Sequence, residues 1–212
     1  RLTRMGIRRL PDGEWSFTDY IDDDGIEPGP ISIVIHVAKK DDEIHVDFTG
    51  TSPQCKGAIQ PTLNSTKSAV YATVRTVLGG EIPNTGGYFR PVKVTAPLGS
   101  FVNPLLPAAV AARALGWFRI THTLFGAFAQ LLPGKIYAGS GGCEYIGSMG
   151  GYHKDKTPWR AWVQVDSMLE AATGGFSDRD GMDGQGGPVC NVSNIPVESL
   201  EMDQPIRIEE YA

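Results

Sequence analysis

An imidazole, a carboxylate, hydroxyls and an amide lie close together in the stretch HVDFTGTSPQCKG, residues 45–57. His45 and Asp47 belong to an alternating strand pattern, and a Gly-Thr-Ser-Pro turn follows at once. Groups of these types can hydrogen-bond a polar substrate or move a proton as a general base. The same residue types are common in ordinary turns. The stretch therefore indicates either a plain hairpin end or the rim of a reaction site, and composition does not decide between them.

The strand that carries these residues is the second strand of a predicted hairpin. The segments ISIVIHVA and EIHVDF flank KKDD, which predicts two antiparallel strands joined by a short loop. A symmetric register pairs Val37 with Ile44, Ile35 with Val46 and Ile33 with Phe48, as one apolar face. The other face then has His36 opposite His45 and Val34 opposite Asp47. Two histidines and a carboxylate could hold a metal ion, but a solvated polar face is the interpretation we favour.

Other segments complete a mixed pattern of strands and helices. GEWSFTDYI predicts a strand, and DDDG after it predicts a turn. A calcium loop is disfavoured there, because Tyr20 stands where such a loop needs its first carboxylate. The segment PTLNSTKSAVYATVRTVLGG predicts a helix that Gly79 and Gly80 end. RPVKVTAP, YIGSMGG and WRAWVQVDSML predict further strands among glycine-rich loops. The fold class expected is α+β, with antiparallel strands, two main helices and long Gly-rich loops.

The second main helix, WFRITHTLFGAFAQLLP, contains a further candidate base. Its apolar stripe ends at Pro133, and His122 lies two residues after Ile120 and off that stripe. A surface or inter-element histidine is the first interpretation, and a catalytic base is the second. Downstream, AGSGG around Ser140 is close to a serine-hydrolase elbow, but Ala138 replaces its first glycine and no strand-turn-helix context is predicted. The sequence has no GxGxxG or GxxxxGK[ST] motif, so nucleotide binding by this chain is unsupported.

Composition narrows the class of protein. The chain has 212 residues, 41% of them hydrophobic and 20% charged, which is typical of a globular protein with a real core. A net charge of -5 argues against nucleic acid as a partner, and no apolar run approaches the ~18 residues of a membrane span. Cys55, Cys143 and Cys190 are odd in number and lack CxxC spacing. They indicate reduced thiols in a cytoplasmic protein, and neither a disulfide framework nor a zinc site. The net charge and the lack of a long apolar run predict neither a nucleic-acid nor a membrane partner.

Motifs spread along the chain resemble those of a known family. In order, they are LPDGEWSFTDYIDDDG, VDFTGTSPQCKG, IPNTGGYFRPVKVTAPLGSFVNP, PAAVAAR and DGMDGQGGPVCNVSNIPVESLEMDQPIRIEEY. Together they resemble the B-type subunits of the hydantoinase/5-oxoprolinase family, which includes N-methylhydantoinase B and subunits of acetone and acetophenone carboxylases. The resemblance, with the basic helix-like start RLTRMGIRRLP, implies one hydantoinase B-like region over residues 1–212. It would be a fragment of a larger subunit, with a possible internal boundary near 133–140.

The resemblance also implies a mechanism. A partner A-type ATPase subunit, with ATP and Mg²⁺, phosphorylates a lactam, imide or enol oxygen, and the B-type subunit handles the activated species. We therefore expect first that the chain is part of an ATP-dependent cyclic amide hydrolase that works as a hetero-oligomer. Alternatively, the chain is part of an ATP-dependent ketone carboxylase, or it is a non-catalytic assembly module. An upstream histidine motif that resembles metal ligands is absent from this sequence. We therefore expect a divalent metal in that upstream segment and none in this chain. The chain by itself should then be inactive.

The resemblance finally suggests roles for individual residues. Asp47, His45 and His122 are the candidate catalytic residues, although relatives often have an aspartate at the position of His122. The candidate substrate-binding residues are Thr49, Thr51, Gln54, Asn84, Arg90, Arg113 and Asn194. Further polar candidates are Arg119, Glu198 and Glu201. The alternative for each is that it fixes a turn or an intersubunit contact.

Overall fold

The computed structural model describes residues 1–79, 82–140, 145–169, 172–182, 196–203 and 207–210. The helices are α1 (Leu2–Ile7), α2 (Leu63–Leu78), α3 (Gly86–Phe89), α4 (Arg113–Leu131) and α5 (Val197–Asp203). The strands are β1 (Gly13–Asp23), β2 (Pro28–Lys40), β3 (Glu43–Asp47), β4 (Val92–Thr95), β5 (Tyr145–His153) and β6 (Arg160–Leu169). The predicted α+β class is confirmed, with α2 and α4 as its two main helices.

Strands β1 to β4 form one sheet in chain order, and β5 pairs with β6 in a separate antiparallel hairpin. The β1–β2 and β2–β3 pairs are antiparallel, as expected, whereas β4 runs parallel to β3. A parallel neighbour requires a crossover that returns the chain to the same end of the sheet. Helix α2 lies in that crossover, between β3 and β4.

The predicted apolar face of the hairpin is the centre of the hydrophobic core. All six of its residues are buried: Ile33, Ile35, Val37, Ile44, Val46 and Phe48. Helix α2 contributes Val70 and Val74 to the same core, and α4 contributes Leu124 and Phe128. The two helices therefore cover one face of the sheet, and the strand alternation puts the other set of side chains on the opposite face.

The register predicted for the hairpin is wrong by two residues. Val37 pairs with Val46 instead of Ile44, and His36 lies opposite Asp47 instead of His45. A shift of two residues keeps every side chain on its face, because the side-chain period of a strand is two. The apolar face was therefore predicted correctly although the pairing was not, and His45 is opposite Ala38.

The turn chemistry explains this register. The two residues between the last pair, Lys40 and Glu43, are Asp41 and Asp42. Asp41 adopts a φ of 53°, a left-handed conformation that aspartate tolerates and that suits a two-residue hairpin turn. Its N–H donates to the Asp12 carboxylate at 3.0 Å, and Asp42 pairs with arginines of α1 and its C-terminal end. Tertiary contacts thus select the turn.

The helix ends follow the expected local rules. Thr62 caps α2 by accepting the Ser65 N–H, and Gly79, with a φ of 61°, ends that helix as predicted. Helix α4 begins at Arg113, four residues before the predicted start at Trp117. None of the helices in the described ranges is long and apolar enough to cross a membrane.

Cys55 is the one cysteine among the described residues. Cys55 is a free thiol, and partial burial raises its pKa, which makes it less reactive than an ordinary thiol. Cys143 and Cys190 lie outside the described residues.

Candidate active site

The turn after β3 has a structural role that the sequence did not reveal. Strand β3 ends at Asp47, so the first half of β2 has no strand neighbour on that side. Thr51 Oγ1 fills the gap at Val34 by accepting its N–H at 3.1 Å and donating to its carbonyl at 3.2 Å. Ser52 completes the edge at Ser32 through its N–H and its hydroxyl. Hydroxyls of this turn thus replace a missing strand.

The predicted catalytic residues His45 and Asp47 lie on the open, polar face of the sheet. Asp47 accepts hydrogen bonds from the N–H and hydroxyl of Thr49, at 3.3 and 3.0 Å. His45 Nε2 is 2.7 Å from Thr95 Oγ1, and His36 Nδ1 is 2.7 Å from Ser16 Oγ. Each polar group thus has a neighbour of its own. In the described ranges no three His, Cys, Asp or Glu side chains are arranged to hold a metal ion.

His45 also borders a shallow depression of about 340 Å³ at the hairpin tip. Lys40, Glu43 and Lys93 line it, and Lys93 Nζ donates to Glu43 at 2.6 Å. Charges of both signs therefore lie along this depression, which is open to solvent. This depression therefore offers a polar surface rather than an enclosed reaction site.

The other predicted binding residues are dispersed over the molecule. Gln54 pins the loop before α4 by accepting the Leu105 N–H at 2.6 Å and donating to its carbonyl at 3.4 Å. Asn84 accepts from Arg75 at 3.1 Å, and Arg113 donates to a carbonyl, that of Val110. Arg90 is exposed at the end of α3. Asn194 lies outside the described residues.

A deeper cavity of about 300 Å³ lies on the helical side of the sheet, between β1, α4 and residues 137–140. Its aromatic lining comes from Phe17, Phe125 and Tyr137. Its polar lining comes from Asp19, Arg119, His122 and Ser140. These four groups include an imidazole, a hydroxyl and an ion pair, which makes this cavity the best-equipped place for chemistry in the part of the chain that the structure describes.

His122 is the buried imidazole of this cavity. Only 8% of the residue is exposed, which excludes the surface position and leaves the inter-element one. Its Nε2 lies 3.0 Å from Ser140 Oγ. Burial lowers its pKa, the Arg119 charge lowers it further, and Asp19 opposes both. The ring is therefore neutral at neutral pH, and in the tautomer with the proton on Nδ1 its Nε2 can accept a proton.

Ser140 is not in a hydrolase elbow. It lies between helix α4 and strand β5, whereas an elbow serine sits on a turn from a strand into a helix. Its neighbour Ala138 donates its N–H to the Gly175 carbonyl at 2.8 Å. The adjacent Tyr137 ring contacts those of Phe125 and Phe176, with centroids 5.5 and 5.8 Å apart. These contacts hold the segment that presents Ser140 to His122.

Asp19 and Arg119 form the charged side of the cavity. Arg119 Nη1 donates to Asp19 Oδ2 at 3.2 Å across 100 residues of sequence. The side chains remain 34% exposed at Arg119 and 27% at Asp19, so the pair is accessible from the cavity. The sequence marks Arg119 only as a secondary candidate and does not mark Asp19, because no spacing rule connects residues so far apart.

Gly126 determines how closely β1 approaches α4. A Cβ at this position would lie 2.5 Å from ring atoms of Phe17, a distance at which the ring must move. We expect Gly126→Ala to lower the free energy of unfolding by about 1–3 kcal/mol through overpacking. Chemical denaturation measures this change. Gly86→Ala is the matched control, since its Cβ would meet nothing and an unchanged or higher stability is expected. Equal effects of the two substitutions would contradict the overpacking.

The sheet separates the predicted catalytic residues into two groups. His45 and Asp47 lie on its open face with Thr49, while His122 lies on the helix that covers the other face. They do not converge on one site. The residues that do converge on His122 are Asp19, Arg119 and Ser140, and only the fold brings them together.

Comparison with known proteins connects this fold to a family. The family model for hydantoinase B/oxoprolinase matches residues 1–212, the whole chain. The chain belongs to the hydantoinase B/oxoprolinase family. This membership confirms the resemblance carried by the five sequence motifs.

The matched relatives and solved structures are much longer than the chain. A Pseudomonas sp. (strain NS671) protein, provisionally named as the B-type subunit of a D-/L-hydantoinase, is 33% identical over the whole chain, which covers 36% of that protein. The crystal structure of the ATP-dependent caprolactamase from Pseudomonas jessenii superposes with a TM-score of 0.82 at 25% identity, covering 99% of this chain and 37% of that one. An acetone carboxylase structure has a TM-score of 0.68 at 13% identity, over 94% of this chain and 29% of that one, which shows a shared fold. The chain spans about a third of the length of the first two.

Proposed function

We propose that this chain forms part of the B-type subunit of an ATP-dependent cyclic amide hydrolase. The observation that carries the proposal is the similarity over 99% of the chain to an ATP-dependent caprolactamase. A lactam is a poor electrophile, and phosphorylation of its oxygen would turn that oxygen into a leaving group. An A-type ATPase partner would supply this activation with ATP and Mg²⁺. In the part of the chain that the structure describes, no three His, Cys, Asp or Glu side chains are arranged to hold a metal ion.

The His122 cavity is the place where this chain would contact the reacting ring. A neutral imidazole with a proton-accepting nitrogen can remove a proton from the adjacent Ser140 hydroxyl or from a water in its place. Arg119 offers N–H donors for oxygen that gains negative charge during ring opening. The aromatic side chains that line the cavity favour an organic ring of small size.

The residues on the open face would have a different role. His45, Asp47 and Thr49 engage in local hydrogen bonds on an uncovered face. Two of the remaining binding candidates, Asn84 and Arg90, are exposed at other positions of the surface. We assign these residues to contacts with the rest of the enzyme or with the partner subunit, forming the walls of the complete assembly.

Reconstitution of the complete enzyme tests this function. The subunit containing this chain, purified with its A-type partner, is expected to hydrolyse ATP in response to a lactam or imide and to release the ring-opened acid. ATP hydrolysis and product formation are measured with hydantoin, 5-oxoproline and caprolactam. A parallel assay uses acetone or acetophenone with bicarbonate. Turnover only with a ketone would replace the hydrolase by the carboxylase alternative, and no turnover with either would leave the assembly module.

A further inference from the structure

The Asp19–Arg119 pair places a hydrogen-bond acceptor directly beside a donor on one wall of the cavity. A cyclic amide has the complementary arrangement. Its small ring holds the amide in the cis form, so the N–H donor and the C=O acceptor lie on the same edge. We propose that the pair binds this edge of the ring before the ring oxygen is phosphorylated, with the ring N–H donating to Asp19 and the ring carbonyl accepting from Arg119. This inference rests on the proposed function and assigns it a specificity site.

The state of the ion pair supports such binding. The contact joins one nitrogen of Arg119 to one oxygen of Asp19 at 3.2 Å, without the fork geometry of a bidentate pair. The second Asp19 oxygen accepts the N–H of the adjacent Tyr20 at 2.8 Å, and each carboxylate oxygen can accept a further hydrogen bond. Both side chains are about one-third exposed and line the cavity. A ligand can therefore add hydrogen bonds here without first breaking a strong ion pair.

The rest of the cavity fits the body of the ring. Phe17 and Phe125 line it beside the pair, and Tyr137 lies against Phe125. A volume of about 300 Å³ is at the small end of ligand pockets, which suits one ring without long substituents. Asp19 and Arg119 would thus hydrogen-bond the amide edge, and the aromatic side chains would contact the apolar part of the ring.

This recognition distinguishes amides by shape. An open-chain secondary amide is trans, so its N–H and C=O point in opposite directions and cannot both reach the pair. An N-methylated lactam keeps the ring but has no N–H for Asp19. Both compounds should bind weakly, although they resemble a lactam in size and polarity.

Binding to the subunit that contains this chain, without ATP or a partner subunit, tests this inference. Ligand-observed NMR titrations compare 2-pyrrolidone with N-methyl-2-pyrrolidone and N-methylacetamide. We expect 2-pyrrolidone to bind at least about tenfold more tightly than either control compound, a difference typical of unmade hydrogen bonds to charged groups. Asp19→Ala and Arg119→Met should each weaken its binding to a similar extent, whereas Arg9→Met removes an exposed arginine and should leave binding unchanged. Equal binding of the three compounds, or unchanged binding by both cavity variants, would overturn the proposal.

A further variant separates a loss of binding from a loss of folding. Ala129 lies at the cavity on an exposed position of α4, so Ala129→Leu can fill the space without touching the ion pair. It should abolish lactam binding while circular dichroism and the melting temperature stay close to the parent. Lactam binding without turnover in the complete enzyme would count against the proposed function only. Turnover with an unchanged KM in Asp19→Ala would count against this binding site only.

Discussion

Replacing His122 with glutamine is expected to lower kcat of the assembled enzyme about 10²–10⁴-fold, the usual contribution of a general base. Glutamine keeps a polar side chain in the cavity but cannot accept a proton at neutral pH. The loss follows from the 3.0 Å contact between His122 Nε2 and Ser140 Oγ and from the lowered pKa of the buried ring. Steady-state kinetics with a lactam substrate measure the change. His153→Gln is the control, because His153 is exposed on β5.

The pH dependence gives this prediction a second readout. Burial lowers the pKa of His122 below its ordinary value, so the active neutral form persists to a lower pH than an exposed histidine would allow. Activity of the parent enzyme should therefore fall on the acidic side, below the ordinary histidine pKa of about 6.5. The residual activity of His122→Gln should lack this step. A variant that keeps both the rate and the acidic step would show that His122 is not the base.

Replacing Asp24 with asparagine is expected to cause the largest loss of thermal stability among exchanges of aspartate for asparagine in the β1–β2 region. Asp24 lies in the DDDG turn and is only 7% exposed. One of its oxygens accepts the N–H groups of Ile26 and Glu27, at 2.9 and 2.6 Å. The other accepts those of Lys56 and Gly57, at 3.0 and 2.7 Å. The carboxylate thus joins its own turn to the loop after β3.

An asparagine can satisfy only one of these two pairs of donors, since its amide nitrogen would face the other pair. Such buried, unpaired donors are costly. We expect a decrease in melting temperature on the order of 5 °C or more. The neighbouring Asp23 is the control, because it is exposed and accepts a single N–H, that of Gly25 at 2.7 Å. Equal melting temperatures for Asp24→Asn and Asp23→Asn would contradict this account.

Acid titration checks the same residue through its charge. The four N–H donors, led by that of Glu27, lower the pKa of Asp24 to about 2. A carboxylate with a lowered pKa stabilises the folded state above its unfolded pKa of about 3.9, and this stabilisation disappears as the pH falls toward 2. The parent chain should therefore lose stability across this window. Asp24→Asn should lose less there, which melting curves between about pH 2 and pH 5 measure.

Much of the scaffold follows from local rules. The alternation in β2 and β3 determines which side chains are buried, because a strand has a side-chain period of two. Gly79 ends α2 where the apolar period stops, since glycine adopts the left-handed φ at little cost. The ordered motifs suffice to identify the family, because each combines turn and polar residues in a pattern that composition alone would rarely produce.

The register of the hairpin and the direction of β4 were beyond such rules. A shift of two residues buries the same apolar set, so hydrophobicity does not distinguish the two registers. The turn at Asp41 is selected by contacts with Asp12 and with arginines at the N-terminal helix. These contacts join residues that are far apart in the chain, and no periodicity records them.

The candidate site shows most clearly which features local sequence patterns predict and which only the three-dimensional packing decides. Local patterns predict a histidine, His122, off an apolar helix stripe, and an aspartate, Asp47, at the end of a strand shortly before Thr49. The folded chain alone reveals that His122 is buried against a serine hydroxyl and that Asp19 reaches Arg119 across 100 residues. A site requires groups to converge in space, and local patterns describe only neighbours along the chain. The packing of β1 and residues 137–140 against α4 provides that convergence.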